Sequence, residues 1–388
     1  MQDRRPTVAV WRSLWLPPSE TFVRDHVRGL RRWDALTLGL YHEDRGLEVV
    51  PDVAPFVRHG LRAKLVGPMS RLGYPGLYDA TIRRRRPELV HAHFGTGATE
   101  VLPVARRHGL PLVVTFHGHD VVRAPQEDPT GRYSRRLEAV FDYADLLLPV
   151  SHYIASRLVD LGAPSDKVRV HYLGIPLDGR AAPRQVEDDS REGLLFVGRL
   201  VPLKGVDDLL QAYAMLPTAL RRATPFRIVG DGPERARLES MAAQVPDGDI
   251  TFLGTRTPGE VRDLMGRTRV LGAPSKEVLP GDAEAFGLVL VEAALARAAV
   301  VSYASGGVPE AVIDGVTGLL APEGDVAALA GHLQRVLQDP ELATALGDAG
   351  HERVVEHFDA AHQIAVLEDL YDEVVAAHRP PRVEVTRG

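Results

Sequence analysis

No cysteine occurs among the 388 residues, which excludes disulfides, thiolate metal sites and a cysteine nucleophile and leaves the redox compartment undecided. There is no basic excess either. A formal net charge of −6 argues against a general nucleic-acid binder, so no nucleic-acid partner is expected. No stretch approaches the roughly 18 apolar residues of a membrane span. The opening MQDRRPTVAVWRSLWLPPSE has a short apolar run and then Pro17 and Pro18, with no small-residue cleavage site. It reads as a first strand and loop instead of a signal peptide, and the expected location is cytoplasmic. Short repeats and low-complexity segments are also missing.

What is present is the balance of a folded chain: 45% hydrophobic and 25% charged residues. The length favours about two domains. Short apolar runs alternate with helical segments. Strands are predicted at Thr7–Leu14, Ala35–Leu40, Glu88–Phe94, Pro111–Phe116, Asp145–Val150 and Lys167–Tyr172, with amphipathic helices at Glu20–Trp33, Thr99–His108 and Tyr153–Leu161. That alternation implies parallel pairing in a doubly wound α/β sheet. Residues 176–193, PLDGRAAPRQVEDDSREG, are polar, rich in Pro and charge, and aperiodic; they read as a linker. A second series follows, with strands at Leu194–Val197, Phe226–Val229, Ile250–Leu253, Val270–Pro274 and Val300–Ala304, then helices from about Asp325, the last near Ala360–Ala377. The expected division is an N-terminal domain over 1–176, a linker over 177–192 and a C-terminal domain over 193–359, with a final helix near 360–380 packing back on the first domain. A ligand is expected in a cleft between two such halves.

The second half carries the strongest chemical signal. In GDAEAFGLVLVEAALA, Gly287 opens a helix, so the backbone N–H groups near Phe286, Gly287 and Leu288 are helix-start donors suited to phosphate. Glu292 lies a turn into that helix and leans back toward its start, where a carboxylate can accept from vicinal ribose hydroxyls. Glu284 precedes the helix and can do the same for sugar hydroxyls. In VGRLVPLKGVDDLLQAY, Gly198 and Arg199 follow a strand and Lys204 precedes a helix, a placement that suits a diphosphate. In RIVGDGPE, Gly230 opens a glycine turn that lets backbone approach a ligand or merely turns the chain. Solvated loop charges and surface glutamates are the bland readings of the same residues.

In the first half, His91 and His93 share one face of a strand end, and His117, His119 and Asp120 end the next strand. A metal cluster is conceivable and a structural role is the simpler reading. Ser19, Glu20 and Thr21 look like a helix start with Ser19 as N-cap. Arg83–Arg86 form a basic run near Arg58, Arg62, Lys64 and Arg71, either a solvated face or a contact for an anionic membrane surface or lipid diphosphate. Two imitations are set aside. Gly95-Thr-Gly97-Ala-Thr-Glu100 mimics a dinucleotide fingerprint but places a charge where Gly or Ala is wanted, and Asp247-Gly-Asp249 reads as a turn.

These motifs together resemble glycosyltransferase family four, the retaining GT-B enzymes marked by two glutamates seven residues apart, as Glu284 and Glu292 are. VGRLVPLKGVDDLLQAY, VGDGPE, AFGLVLVEAALA and GGVPEAVIDGVTGLLAP match the family's segments in order, HAHFG and FHGHD extend the likeness to the first half, and SETF is similar to a branch acting in polysaccharide assembly. The likeness implies a GT-B fold of two Rossmann-like domains and transfer from a nucleotide diphosphate sugar, UDP-linked first, to a saccharide, lipid-linked or small-molecule acceptor. Arg199 and Lys204 would hold the diphosphate, Glu292 the ribose and Glu284 the transferred sugar. Backbone at Phe286 and Gly287 would support sugar and phosphate, and His117 would face the sugar. Asp120 would orient its loop or touch acceptor, and Ser19, Glu20, Thr21 and His93 would lie on the acceptor side. No metal or cofactor is implied, the nucleotide sugar being a co-substrate. A departure is that SETF stands where many members carry a glycine pair. A non-catalytic nucleotide-sugar-binding partner and an epimerase of the same fold remain as alternatives.

Overall fold

The computed structural model describes residues 4–17, 20–42, 49–57, 75–178 and 191–378. By internal contacts they divide into two units. The first comprises residues up to Val150, Ile154–Gly174 and the chain from Ala360; the second comprises Ser151–Tyr153 and Ile175–Asp359.

In the first unit β1 (Thr7–Trp11), β3 (Asp34–Leu38), β6 (Leu89–His93), β7 (Leu112–Phe116) and β8 (Leu146–Pro149) form one sheet in the order β3-β1-β6-β7-β8, every neighbouring pair parallel. The short strands β2 (Leu14–Trp15), β4 (Tyr41–His42) and β5 (Phe56–Val57) pair separately. The central strands are buried along their whole length, as parallel strands covered on both faces must be. Val8, Val10, Leu89, Val113 and Leu148 pack against Leu367, Leu370 and Val374 of the last helix, Ala360–His378. That helix is pinned by Glu368, 2% exposed, whose carboxylate accepts from the backbone N–H groups of Arg31, Arg32 and Trp33 at 2.8, 2.7 and 3.0 Å.

In the second unit β9 (Glu192–Val197), β10 (Phe226–Val229), β11 (Ile250–Gly254), β12 (Thr268–Gly272), β13 (Ala299–Tyr303) and β14 (Leu319–Ala321) give the order β11-β10-β9-β12-β13-β14, again parallel throughout. In both sheets the order reverses beside the first strand, between β1 and β6 and between β9 and β12. Such switch points open a crevice at the strand carboxyl ends, and that is where ligands settle in open α/β sheets.

Several expectations change. Thr7–Leu14 is a strand only to Trp11, and the helix expected over Glu20–Trp33 is Thr21–Gly29. Ser19 lies outside the described residues; the N-cap position of that helix is Glu20, which makes no side-chain cap. Lys167–Tyr172 is not a strand. It forms one isolated bridge, Val168 to Leu147, and Arg169 N–H and His171 N–H donate to Leu147 and Pro149 carbonyls of β8. Pro149 has no N–H to return, so the ladder stays incomplete. Residues 179–190 of the expected linker, and Arg58, Arg62, Lys64 and Arg71, fall outside the described residues.

Candidate functional site

At the carboxyl end of β9 the chain must turn sharply past β10. Gly230, at φ 131°, makes this turn possible, because a Cβ there would lie 1.8 Å from the Gly198 carbonyl oxygen. The close approach that Gly230 permits is therefore to protein backbone. Arg199 follows with an exposed side chain, and a 3-10 turn, Pro202–Lys204, delivers Lys204. Gly205 (φ 63°) closes the turn where a Cβ would strike the Pro274 carbonyl.

Lys204 Nζ meets the Glu284 carboxylate at 2.5 Å, across 80 positions of sequence. Ser275 Oγ donates to the same oxygen at 2.9 Å. Burial alone would push the Glu284 carboxyl up, but the Lys204 ammonium, the two hydrogen bonds and Arg199 outweigh it and hold the group below the usual carboxylate range. Glu284 is thus an anion with a cation against it.

Leu288–Leu295 follows, with Gly287 (φ 89°) at the N-cap position and no side-chain cap. Helix-start N–H groups without a side-chain acceptor have the donor geometry that suits an anion. Glu292 is half-buried one turn in. Phe286 is buried and meets Phe358 edge-on at 5.2 Å between ring centroids. The 284–286 segment is buttressed by two glycines that sequence reading gave no role. A Cβ on Gly306 would sit 2.3 Å from the Glu284 carbonyl oxygen and one on Gly307 2.1 Å from that of Ala285, while Gly307 N–H donates to the Glu284 carbonyl at 2.8 Å. The GG pair in GGVPE was the available signal; Ser275 had none.

The structure brings Lys204 and Glu284 into contact, with Arg199 near enough to act on Glu284. It holds Gly287 and Leu288 at the start of the next helix and assigns Gly198 and Gly230 to the turn beneath.

In the first unit the helix Gly95–His108 begins straight after β6. Its start is occupied by the protein's own carboxyl group: Asp120 accepts from Gly95 N–H at 2.8 Å, Gly118 N–H at 2.9 Å and His117 N–H at 3.1 Å. A pyrophosphate has no free donor at that first position, which removes the dinucleotide imitation. Asp120 orients its loop. Glu20 is engaged by Arg12 in a two-pronged pair at 2.6 and 2.7 Å, and Arg12 lies over the Phe94 ring. Thr21 is half-buried at the start of its helix. His93 is buried and hydrogen-bonded through Nδ1 to His117 Nε2 at 3.1 Å. Burial, then the nearby Arg12 and His26, hold the His117 imidazole down at about 3, so it is neutral at physiological pH.

His26, missed in the sequence, joins His91 and His93 in a buried trio whose ligating nitrogens lie within 4.8 Å of one another. His119, counted among the possible metal ligands, is exposed. Arg84 and Arg86 are exposed and Arg85 pairs with Asp52 at 3.4 Å. No helix among the described residues is long and apolar enough to cross a membrane.

Similarity to known proteins gives the family and the fold. Residues 19–178 match the model of Glycosyltransferase Family 4 and residues 180–353 that of Glycosyl transferases group 1. The chain is 33% identical over 334 residues to a D-inositol 3-phosphate glycosyltransferase of Streptomyces bingchenggensis, covering 79% of this chain and 69% of the relative. It is 31% identical over 315 residues to a GDP-mannose-dependent alpha-(1-6)-phosphatidylinositol monomannoside mannosyltransferase of Mycolicibacterium smegmatis, covering 76% and 81%. Anabaena HepE, solved in complex with UDP and glucose, superposes with a TM-score of 0.73 at 18% identity over 95% of this chain and all of that one. The chain belongs to the group 1, family 4-like glycosyltransferases and has their GT-B fold of two Rossmann-like domains.

Proposed function

We propose that this chain is a retaining enzyme that moves a sugar from a nucleotide diphosphate sugar, a UDP-sugar first, to a hydroxyl of a saccharide, lipid-linked saccharide or natural-product acceptor. One observation carries the reading: Lys204 and Glu284, from segments 80 positions apart, meet just ahead of an uncapped helix start. Arg199, Lys204 and the backbone at Gly287 and Leu288 neutralise the departing diphosphate. Glu292 takes the ribose hydroxyls and Glu284 the transferred sugar, with Phe286 backbone in support. His117 hydrogen-bonds a sugar hydroxyl, and Glu20, Thr21 and His93 lie toward the acceptor. The acceptor hydroxyl attacks the anomeric carbon on the face the diphosphate leaves, its proton passing to the leaving phosphate oxygen; no protein nucleophile or metal enters. HepE's UDP complex supports the carrier, and the mannosyltransferase named for GDP-mannose makes GDP the competitor. The exposed arginines at 83, 84 and 86 are available to an anionic acceptor or membrane surface.

Thermal shifts with a panel of UDP-, GDP- and ADP-sugars select the donor, since a ligand that binds only the folded state stabilises it by mass action. NMR of the product then reads the anomeric configuration. Inversion, or a new nucleotide sugar formed without acceptor, sinks the proposal; a rate unchanged by EDTA is expected. Binding to anionic liposomes at low salt tests the basic run, and its absence removes the membrane contact.

A further inference from the structure

The imidazoles of the first unit are joined end to end. Thr115 Oγ1 lies 2.7 Å from His91 Nε2, and His91 Nδ1 is hydrogen-bonded to the Tyr371 hydroxyl. The same hydroxyl lies 2.9 Å from His26 Nε2, His26 Nδ1 lies 2.9 Å from His93 Nε2, and His93 Nδ1 lies 3.1 Å from His117 Nε2. Of the eight ring nitrogens, only His117 Nδ1 is buried without a partner among the described residues. Tyr371 comes from the last helix, 254 positions beyond His117 in the chain, and is fully buried.

A neutral imidazole carries one N–H, so each member of such a row donates once and accepts once. The row therefore has only two states, and the direction of any one bond fixes all the others. Thr115 is 2% exposed, and its hydroxyl is bonded among the described residues to His91 alone. Run toward Thr115, the row leaves that O–H without an acceptor; run away from it, the row leaves the N–H at His117 Nδ1 without one among the described residues. An oxygen bound at His117 Nδ1 satisfies the second arrangement only.

We propose that Tyr371 is a positioning residue. Through His26 and His93 it ties the tautomer of His117 to that of His91, so that an oxygen accepting from His117 Nδ1–H sets the whole row. The benefit to turnover rests on the role given to His117 above; the coupling of the tautomers does not. Burial keeps the row neutral, which a directional relay requires, since a charged imidazole donates at both ends. The trio is also the only candidate cation cluster among the described residues, but the ring nitrogens that would ligate are already hydrogen-bonded.

Tyr371→Phe keeps the ring against Trp33 and removes only the link. Imidazole 15N shifts of the unliganded protein then read the row without any substrate. Wild type is expected to show His91 and His117 with the same share of Nδ1–H tautomer, and the variant unequal shares. His26→Leu cuts the row one step nearer and gives the same inequality if the first variant fails to fold. With donor and acceptor, Tyr371→Phe is expected to lower kcat on the order of tenfold, the loss of one oriented hydrogen bond, with KM little changed. In a His117→Ala background it adds nothing. Unequal shares in wild type, shares left equal by both variants, or stoichiometric Co2+ uptake with a ligand-field absorption overturns the proposal. Shares made unequal by the variants in a protein that transfers no sugar leave the relay standing and remove the functional reading instead.

Discussion

The two sheets share a design and use their switch points in opposite ways. In the first unit the helix start beside the reversal is filled by Asp120, and the strand ends carry neutral imidazoles bonded to one another. In the second, the corresponding helix start has no side-chain acceptor, and the strand ends carry a lysine, a carboxylate and an exposed arginine. One unit gives its first helix-start N–H to its own carboxylate; the other has no side-chain cap there, as the proposed phosphate site requires. Fold alone therefore does not distinguish the two helix starts, but the partners of their N–H groups do.

The largest test of that contrast is Lys204→Ala. It removes the cation expected to stabilise the leaving diphosphate and should cost on the order of 3 kcal/mol of activation free energy, about a hundredfold in rate. Acceptor-dependent release of nucleoside diphosphate measures it, and near-normal turnover would end the assignment. Asp120→Ala is the counterpart in the first unit. It strands three backbone N–H groups, two of them in the loop that holds His117. The expected loss is about 2–3 kcal/mol of folding stability, read by urea unfolding. Free phosphate should not restore it, because Gly95 is hemmed in by Tyr133 and Phe116, whose atoms lie 2.7 and 2.8 Å from where a Cβ would stand.

Acid separates the units next. Burial, then His171, hold His26 at about 3 against an ordinary 6.5. A depressed base favours the fold while neutral. Its contribution is complete above about pH 6.5 and is lost as pH falls toward 3, at roughly 1.4 kcal/mol per unit. By pH 5 His26 alone should contribute about 2 kcal/mol less, with His91, His93 and His171 shifted the same way. Glu284, held below 4.5, keeps its stabilisation until more acid conditions. Hydrogen exchange at pH 7 and pH 5 should therefore show β6 and β7 losing protection before β9 and β12.

The parallel sheets were legible because buried parallel strands leave short apolar runs, such as Leu89–His93 and Phe226–Val229, between helical periods. Lys167–Tyr172 has the same alternation and misled, because strand pairing depends on what the neighbour returns and Pro149 returns nothing. At the candidate site, the order of motifs along the chain announced Lys204, Glu284 and Gly287, and the contact between the first two follows from strand order. His26 and Tyr371 could not be read this way. Each sits in an amphipathic helix as one polar residue among many, and their partners lie 67 and 280 positions away. Glycines were visible as glycines, but whether Gly230 made room for a ligand or for the Gly198 carbonyl was a question about the neighbouring strand.

The smallest test addresses the two helix starts directly. Gly287 sits at φ 89°, and its missing Cβ would meet Leu290 Cδ1 at 2.9 Å, a flexible side-chain end that can move. Gly287→Ala therefore meets chiefly the left-handed backbone penalty, about 1 kcal/mol of stability. It should weaken nucleotide binding less than tenfold, because the N–H groups survive in place. Phe94, the residue ahead of the other helix, already stands at φ 68° without being glycine. Its ring lies 4.4 Å from His117 and under Arg12, contacts that offset the strain. Phe94→Gly should then relieve the backbone yet fail to stabilise, in contrast with the ordinary gain from matching a residue to its conformation. If thermal melts show Phe94→Gly raising stability while Gly287→Ala leaves it unchanged, backbone conformation is not what distinguishes the two starts, and the difference must lie in Asp120 alone.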